Sequence, residues 1–128
     1  MRVYLIVLLL FTVGHAFGQH ASSNESEASF KWEAEEINLG VIKQGIPVDA
    51  TFTFTNEGKA PLVITHVATS CGCTASDYST KPILAGKTST ITATFDAKHT
   101  GVFSKSLTVY SNTGLPVVLK LKGEVVQE

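Results

Sequence analysis

The chain has 128 residues, a formal net charge of -1 and an isoelectric point of about 6.4. This length leaves room for one ordinary domain, and the balanced charge excludes the strongly basic surface that nucleic-acid-binding proteins usually carry. Charged residues make up 16% of the chain, below the roughly 25% that is usual, and part of the deficit comes from an apolar N-terminal segment.

The first 18 residues have the pattern of a signal peptide. Arg2 supplies a positive charge, an uncharged apolar run covers residues 3–11, and the small residues Ala16 and Gly18 prepare a cleavage site before Gln19. The alternative is a membrane anchor, but a spanning helix needs roughly 20 apolar residues and this run is about half as long. We therefore expect an exported protein, in the periplasm or the extracellular space, where disulfides can form.

Residues 19–29 follow the predicted cleavage site and are small, polar and acidic. They contain no periodic apolar positions, and such a composition buries too little apolar surface to offset the entropy of ordering the chain. The sequence therefore predicts a disordered polar spacer over 19–29 and a folded domain over 30–127.

From Phe30 onward, polar and apolar residues alternate with period two, and no stretch has helical periodicity. Turn signals recur roughly every 8–12 residues, which predicts about seven strands packed as an antiparallel β-sandwich. About 100 folded residues can bury a sufficient core without a metal or several disulfides. The predicted core row consists of Phe52, Phe54, Ile91, Phe95, Leu107, Val109, Leu119 and Leu121.

Several short motifs then occur in a fixed order, with Ser70-Cys71-Gly72-Cys73-Thr74 as the most distinctive. Over about residues 37–126 the chain resembles an exported bacterial family catalogued as domain of unknown function 1573. The resemblance implies an immunoglobulin-like sandwich and export, and it implies no established activity. The other matching segments are residues 39–45, 52–58, 62–64, 84–87, 101–103, 111–112 and 121–125.

Cys71 and Cys73 are the only cysteines, and three alternatives exist for them. The first is a mutual disulfide or redox pair. Residues two apart in a strand have Cα atoms about 6.5–7 Å from each other, at the edge of the bridging range, and a bend at Gly72 brings them closer. Because so small a ring is strained, such a disulfide is easily reduced, which suits redox chemistry.

The second alternative is a metal site, in which Cys71 and Cys73 bind Cu(I) or zinc with His99 as a further ligand. No second cysteine pair exists, so a closed structural zinc site is disfavoured. The third alternative is inert packing, because a free cysteine is often buried as a small hydrophobic side chain. Apart from this candidate metal, the sequence predicts no cofactor.

No nucleophile elbow, phosphate-binding loop or zinc-protease motif occurs, so we predict that the protein is not an enzyme. Trp32 either stacks on a sugar or peptide or covers the core. The preferred hypothesis is an exported, non-catalytic binding or structural module of the bacterial cell envelope. Its partner would be a protein or another envelope component, with no nucleic acid and no transmembrane segment in the mature chain. The alternative is a thiol-disulfide redox or copper-binding protein that uses Cys71-Gly72-Cys73.

The predicted signal peptide gives a direct test. When the full chain is expressed in a bacterium, the exported protein should begin at or near Gln19. Signal peptidase recognises small residues at positions -3 and -1, here Ala16 and Gly18, and cleaves after the second. N-terminal sequencing of the exported material measures this, and an N-terminus that still starts at Met1 contradicts it.

Overall fold

The computed structural model describes residues 27–127, so the predicted signal peptide and most of the predicted spacer lie outside the described residues. The described part is all-β and contains no helix, and accordingly none that could span a membrane. The strands are β1 (Phe30–Trp32), β2 (Glu36–Lys43), β3 (Val48–Asn56), β4 (Ile64–Thr69), β5 (Cys73–Tyr78), β6 (Thr88–Phe95), β7 (Gly101–Ser111) and β8 (Val117–Val126).

The strands form two sheets of four, in the orders β1-β3-β6-β5 and β2-β8-β7-β4. The predicted immunoglobulin-like β-sandwich is thus confirmed, with two differences in detail. There are eight strands rather than about seven, because the chain bends at residues 33–35 and so contributes β1 and β2 to different sheets. In addition, β2 pairs with β8 in parallel, so the sandwich is not wholly antiparallel.

The core lies between the two sheets, as the period-two pattern predicts. All eight residues of the predicted core row are buried, and none is more than 5% exposed. Side chains of alternating positions on β3 and β6 face those on β7 and β8, which is how two sheet faces fill the layer between them. Removing these apolar surfaces from water is the main favourable contribution to folding.

Trp32 packs onto the edge of this core. Its ring stacks on Phe30 with a centroid distance of 5.0 Å and tilts against Phe54 at the same distance. Its buried indole N–H has no hydrogen-bond acceptor within residues 27–127. These contacts favour the interpretation of Trp32 as a core-covering residue over that of a stacking platform for a ligand.

The N-terminal boundary of the domain lies earlier than the sequence predicts. The Lys59 N–H donates to the Glu27 carbonyl at 3.1 Å, and the Glu57 N–H donates to the Ser29 carbonyl at 2.9 Å. Ala28 packs against the core. Assigning residues 27–29 to a disordered spacer is therefore wrong, because the turn after β3 supplies backbone partners that composition alone does not reveal.

Asn56, at the end of β3, is the only polar residue among residues 27–127 that is fully buried. Its side-chain amide donates to the carbonyls of Ala60 at 2.8 Å and Ile83 at 2.9 Å. Its side-chain oxygen accepts from the N–H groups of Gly58 at 3.0 Å and Ser29 at 3.3 Å. One side chain therefore joins the N-terminal segment, the β3–β4 turn and the segment that precedes β6.

Replacing Asn56 with alanine should lower the free energy of unfolding by about 2–4 kcal/mol, because buried backbone groups lose their partners. Asn38→Ala is the matched control, since Asn38 is exposed and makes one local hydrogen bond to Gly40. That change should cost less than about 1 kcal/mol. Urea unfolding followed by Trp32 fluorescence measures both, and equal losses would contradict this role of Asn56.

Candidate functional site

The two cysteines belong to a tight turn that carries the chain from one sheet to the other. β4 ends at Thr69 in the second sheet, and β5 begins at Cys73 in the first. The Cys73 N–H donates to the Ser70 carbonyl at 3.2 Å, and Gly72 has a φ of 89°. This is the pattern of a type II turn, whose third residue needs a positive φ and is therefore usually glycine.

Hydrogen bonds hold this turn to both sheets. Ser70 and Ser106 of β7 are joined twice, since the Ser70 N–H donates to the Ser106 carbonyl at 2.9 Å and the Ser106 N–H donates to the Ser70 hydroxyl at 3.0 Å. On the other side, the Asp96 N–H donates to the Gly72 carbonyl at 3.0 Å. The position of the turn is therefore set by its backbone and by Ser70, and it does not depend on the sulfur atoms.

The two thiols are both free in the structure, and their surroundings differ. Cys71, on the outside of the turn, is exposed, whereas Cys73 is half-buried and packs against the core. The predicted mutual disulfide is not formed in this structure, in which the anchored turn keeps the two thiols separate. That Cys71 and Cys73 can oxidise to a disulfide stays a prediction.

The loop between β6 and β7 lies beside the cysteine turn. Asp96 accepts a hydrogen bond from the Lys98 N–H at 3.2 Å, and the Ala97 carbonyl accepts one from the Gly45 N–H at 2.9 Å. Gln44 donates its side-chain amide to the Lys98 carbonyl at 2.9 Å. Ala97 is fully buried with a φ of 53°, a conformation that costs a non-glycine residue roughly 1–3 kcal/mol. The loop is thus fixed by its contacts with the β2–β3 turn.

Between the turn and this loop is an open cleft of about 560 Å³, which we call the cysteine cleft. The buried rings of Phe95 and Phe103 line it from the core side and stack on each other at 4.2 Å, joining the two sheets. The other residues that line it are Cys71, Gly72, Asp96, Lys98, His99, Thr100, Gly101, Val102, Ser104 and Lys105.

The electrostatic environment of the cleft contains more cationic than anionic side chains. Lys98 and Lys105 line it together with one carboxylate, Asp96, whose oxygen lies 4.0 Å from the Lys98 Nζ. Burial raises the pKa of the Cys73 thiol, Lys105 acts in the opposite direction, and Asp96 adds to the increase. Burial therefore disfavours the Cys73 thiolate, and Lys105 is the cation that favours it.

The sequence predicts part of this arrangement. His99 and Cys71 line the same cleft, while Cys73 is not part of its lining. Sequence reasoning assigned no functional role to Lys105 or Asp96. The sequence did contain one signal. Lys105 lies two residues from both Phe103 and Leu107 on β7 and so belongs to the same inward-facing row, and a lysine in an apolar row marks an opening in the core.

The predicted metal site stays a prediction. Within residues 27–127, no group of three or more histidine, cysteine, aspartate or glutamate side chains is placed to hold a metal ion. The candidate ligands Cys71, Cys73 and His99 come from the cysteine turn and the facing loop, but the structure does not bring all three together. Zinc usually requires four ligands, so these residues fit zinc poorly; Cu(I) requires fewer.

Comparison with known proteins identifies the family. The family model described as "Protein of unknown function (DUF1573)" matches residues 30–125, which confirms the resemblance seen in the sequence motifs. No curated protein matches the chain.

Among solved structures, the chain is similar to a protein of unknown function from Porphyromonas gingivalis W83, with 17% identity and a TM-score of 0.67 over 84% of this chain. The match covers 51% of that protein, so the chain spans about half of its length. A PapD-like domain of human CEP192 is 10% identical, with a TM-score of 0.60, 92% of this chain covered and 98% of that one. The VesB protease of Vibrio cholerae is 17% identical, with a TM-score of 0.57, over 76% of this chain and 31% of its own. These low identities establish the fold alone.

Gly72 provides a test of the turn geometry. A Cβ atom at this position would lie 3.4 Å from Asp96 Oδ1 and 3.5 Å from Phe95 Cε2, which are ordinary contacts, so space is available. Gly72→Ala should nevertheless lower the free energy of unfolding by about 1–2 kcal/mol, because the positive φ disfavours alanine. Gly72→Asn should cost less, since asparagine tolerates this region better. Urea unfolding compares the two, and a stabilising Gly72→Ala would contradict the assigned turn.

Proposed function

The chain belongs to the DUF1573 family, and we propose that this member is an exported, non-catalytic domain of the bacterial cell envelope that binds a protein partner at the cysteine cleft. The observation that carries this proposal is the cleft itself, which two anchored loops form at one end of the sandwich. Loops held by a rigid sheet scaffold are the usual location of binding residues in β-sandwiches.

The edges of the sheets support binding through loops rather than through strand addition. The edge strands are β1 and β5 in one sheet and β2 and β4 in the other. β1 has three residues, and the other three edge strands each contain a register shift. Short and bulged edges discourage pairing with another strand, so a partner that adds its own strand is disfavoured.

The surface around the cleft indicates what kind of partner it suits. Val102 lines the cleft and is 86% exposed, and Val41, which is 69% exposed, lies on the other side of Glu124 of β8, with which both valines pair. Lys98 and Lys105 add positive charge. Exposed apolar side chains bordered by cations suit a protein surface that offers apolar and acidic side chains.

Export is the part of the proposal that rests on the sequence, namely on the pattern of residues 1–18.

The binding proposal can be tested by in-cell crosslinking with a C-terminally tagged full chain in its native bacterium. Val102→Asp should reduce the recovery of the specific crosslinked partner by about tenfold, because a charge replaces a central apolar contact. Leu115→Asp is the matched control, since Leu115 is 77% exposed in the β7–β8 turn at the opposite end of the strands. Its partner recovery should be unchanged. Equal recovery from Val102→Asp, or equal loss from both variants, would contradict binding at the cysteine cleft.

A further inference from the structure

Cys71 and Cys73 differ in the properties that separate an attacking thiol from a resolving thiol. Cys71 is exposed and lines the cysteine cleft, whereas Cys73 is half-buried at the start of β5. Burial raises the pKa of Cys73, which leaves less of its thiolate available to an external reagent. The half-buried thiol is still only two residues from the exposed one, on the same tight turn.

We propose that Cys71 and Cys73 form an asymmetric dithiol that exchanges with acidic disulfides entering the cysteine cleft. This inference deepens the proposed function, because it names the chemistry by which the same cleft would capture a partner. It is stoichiometric exchange at a binding site and does not require a further catalytic group.

The exchange has two steps. The Cys71 thiolate attacks one sulfur of a substrate disulfide, so a bond forms between Cys71 and that sulfur, and the other half of the substrate leaves as a thiolate. The Cys73 thiolate then attacks the Cys71 sulfur, forming the Cys71–Cys73 disulfide and releasing the second half. The protein dithiol loses two electrons and two protons, and the substrate disulfide gains both to become two thiols.

The anchoring of the turn decides which form of the pair is favoured. The bonds of Ser70 to Ser106 and of Gly72 to Asp96 stabilise the turn in which the thiols are separate. Joining the sulfurs requires the turn to deform, and a small strained disulfide is the more oxidising kind. The Cys71–Cys73 disulfide should therefore be reduced readily by a glutathione buffer that leaves structural disulfides intact.

The charges of the cleft select the substrate class. Lys98 and Lys105 line the cleft with a single carboxylate, Asp96, which lies 4.0 Å from the Lys98 Nζ, so the net positive charge of these three side chains comes from Lys105. Opposite charge at short range accelerates encounter, and like charge slows it. An anionic disulfide should therefore react faster than a cationic disulfide of similar size.

The attacking and resolving roles are tested by adding glutathione disulfide to the reduced protein and recording the intact mass over time. Cys73→Ser should accumulate a stable glutathione adduct on Cys71. With glutathione disulfide in excess and no free glutathione added, the parent should pass through that adduct and end as the internal disulfide, because a low concentration of free glutathione favours closure even of a strained pair. Cys71→Ser should react about tenfold more slowly than Cys73→Ser, because access to the half-buried thiol is restricted.

Two results would overturn the proposal. One is equal reactivity of Cys71→Ser and Cys73→Ser, and the other is a parent protein that keeps glutathione on either cysteine without closing the internal disulfide. Far-ultraviolet circular dichroism of each serine variant, together with the double variant, establishes that the sandwich is intact. The double variant should stay folded, because the turn is anchored through Ser70 and Gly72.

The charge selectivity is tested by comparing glutathione disulfide with the dication cystamine, each normalised to its rate with a free small thiol. At low salt the parent should react about tenfold faster with glutathione disulfide than with cystamine, and added salt should lower this ratio of rates. Lys105→Gln should lower the ratio of rates as well. Lys31→Gln is the matched control, since Lys31 is exposed on β1 and pairs with Thr55, at the far end of the sheet from Cys73. An unchanged ratio in Lys105→Gln would overturn the assigned substrate class.

Comparing an acidic peptide disulfide that has apolar flanking residues with glutathione disulfide shows whether the substrate is a polypeptide or a small molecule. A polypeptide substrate should react faster than glutathione disulfide and should be slowed by Val102→Ser, whereas a small-molecule site should show neither effect. These reactions use free disulfides and do not depend on the cellular partner. Loss of exchange thus overturns this inference alone, while unaltered crosslinking of Val102→Asp overturns the binding proposal alone.

Discussion

The buried amide of Asn56 is the interaction on which the connections at one end of the sandwich depend. A primary amide without partners is costly in an apolar interior, and here all four of its hydrogen bonds go to backbone groups of segments without regular structure. The same residue uses its own N–H and carbonyl to bind Lys87 and Gly86. Because three chain segments converge on it, their backbones are held to one another through this one residue.

The opposite end, which carries the cysteines, is held in a different way. Ser70 bonds to β7, the Gly72 carbonyl accepts from Asp96, and Phe95 stacks on Phe103 between the sheets. None of these contacts involves a sulfur atom. Two cysteines two positions apart close almost no chain, so a disulfide between them could add little by restricting the unfolded state. The thiols are thus located by the fold without contributing much to its stability, which leaves them available for chemistry or binding.

The sequence predicts the strands and the core well because both depend on the alternation of neighbouring side chains. Phe52 and Phe54, or Leu119 and Leu121, reveal their buried face without knowledge of their partners. The parallel pairing of β2 with β8 and the role of Asn56 were not predictable in this way, because each depends on segments distant in sequence. The cleft was missed for the same reason. Its members come from the β4–β5 turn, the β6–β7 loop and the start of β7, and only the fold brings them together.

Lys105 is the point at which local pattern and tertiary structure disagree, and the disagreement is informative. Its parity on β7 places it in the row of Phe103 and Leu107, where a sandwich selected for stability alone would have an apolar side chain. A half-buried lysine loses hydration and side-chain entropy. Proteins break such rules mainly where function requires it. The cation at this position acts on the Cys73 thiol and lines the cleft with Cys71. The residue that departs most from the pattern of the core therefore acts electrostatically on Cys73 and lines the cleft together with Cys71.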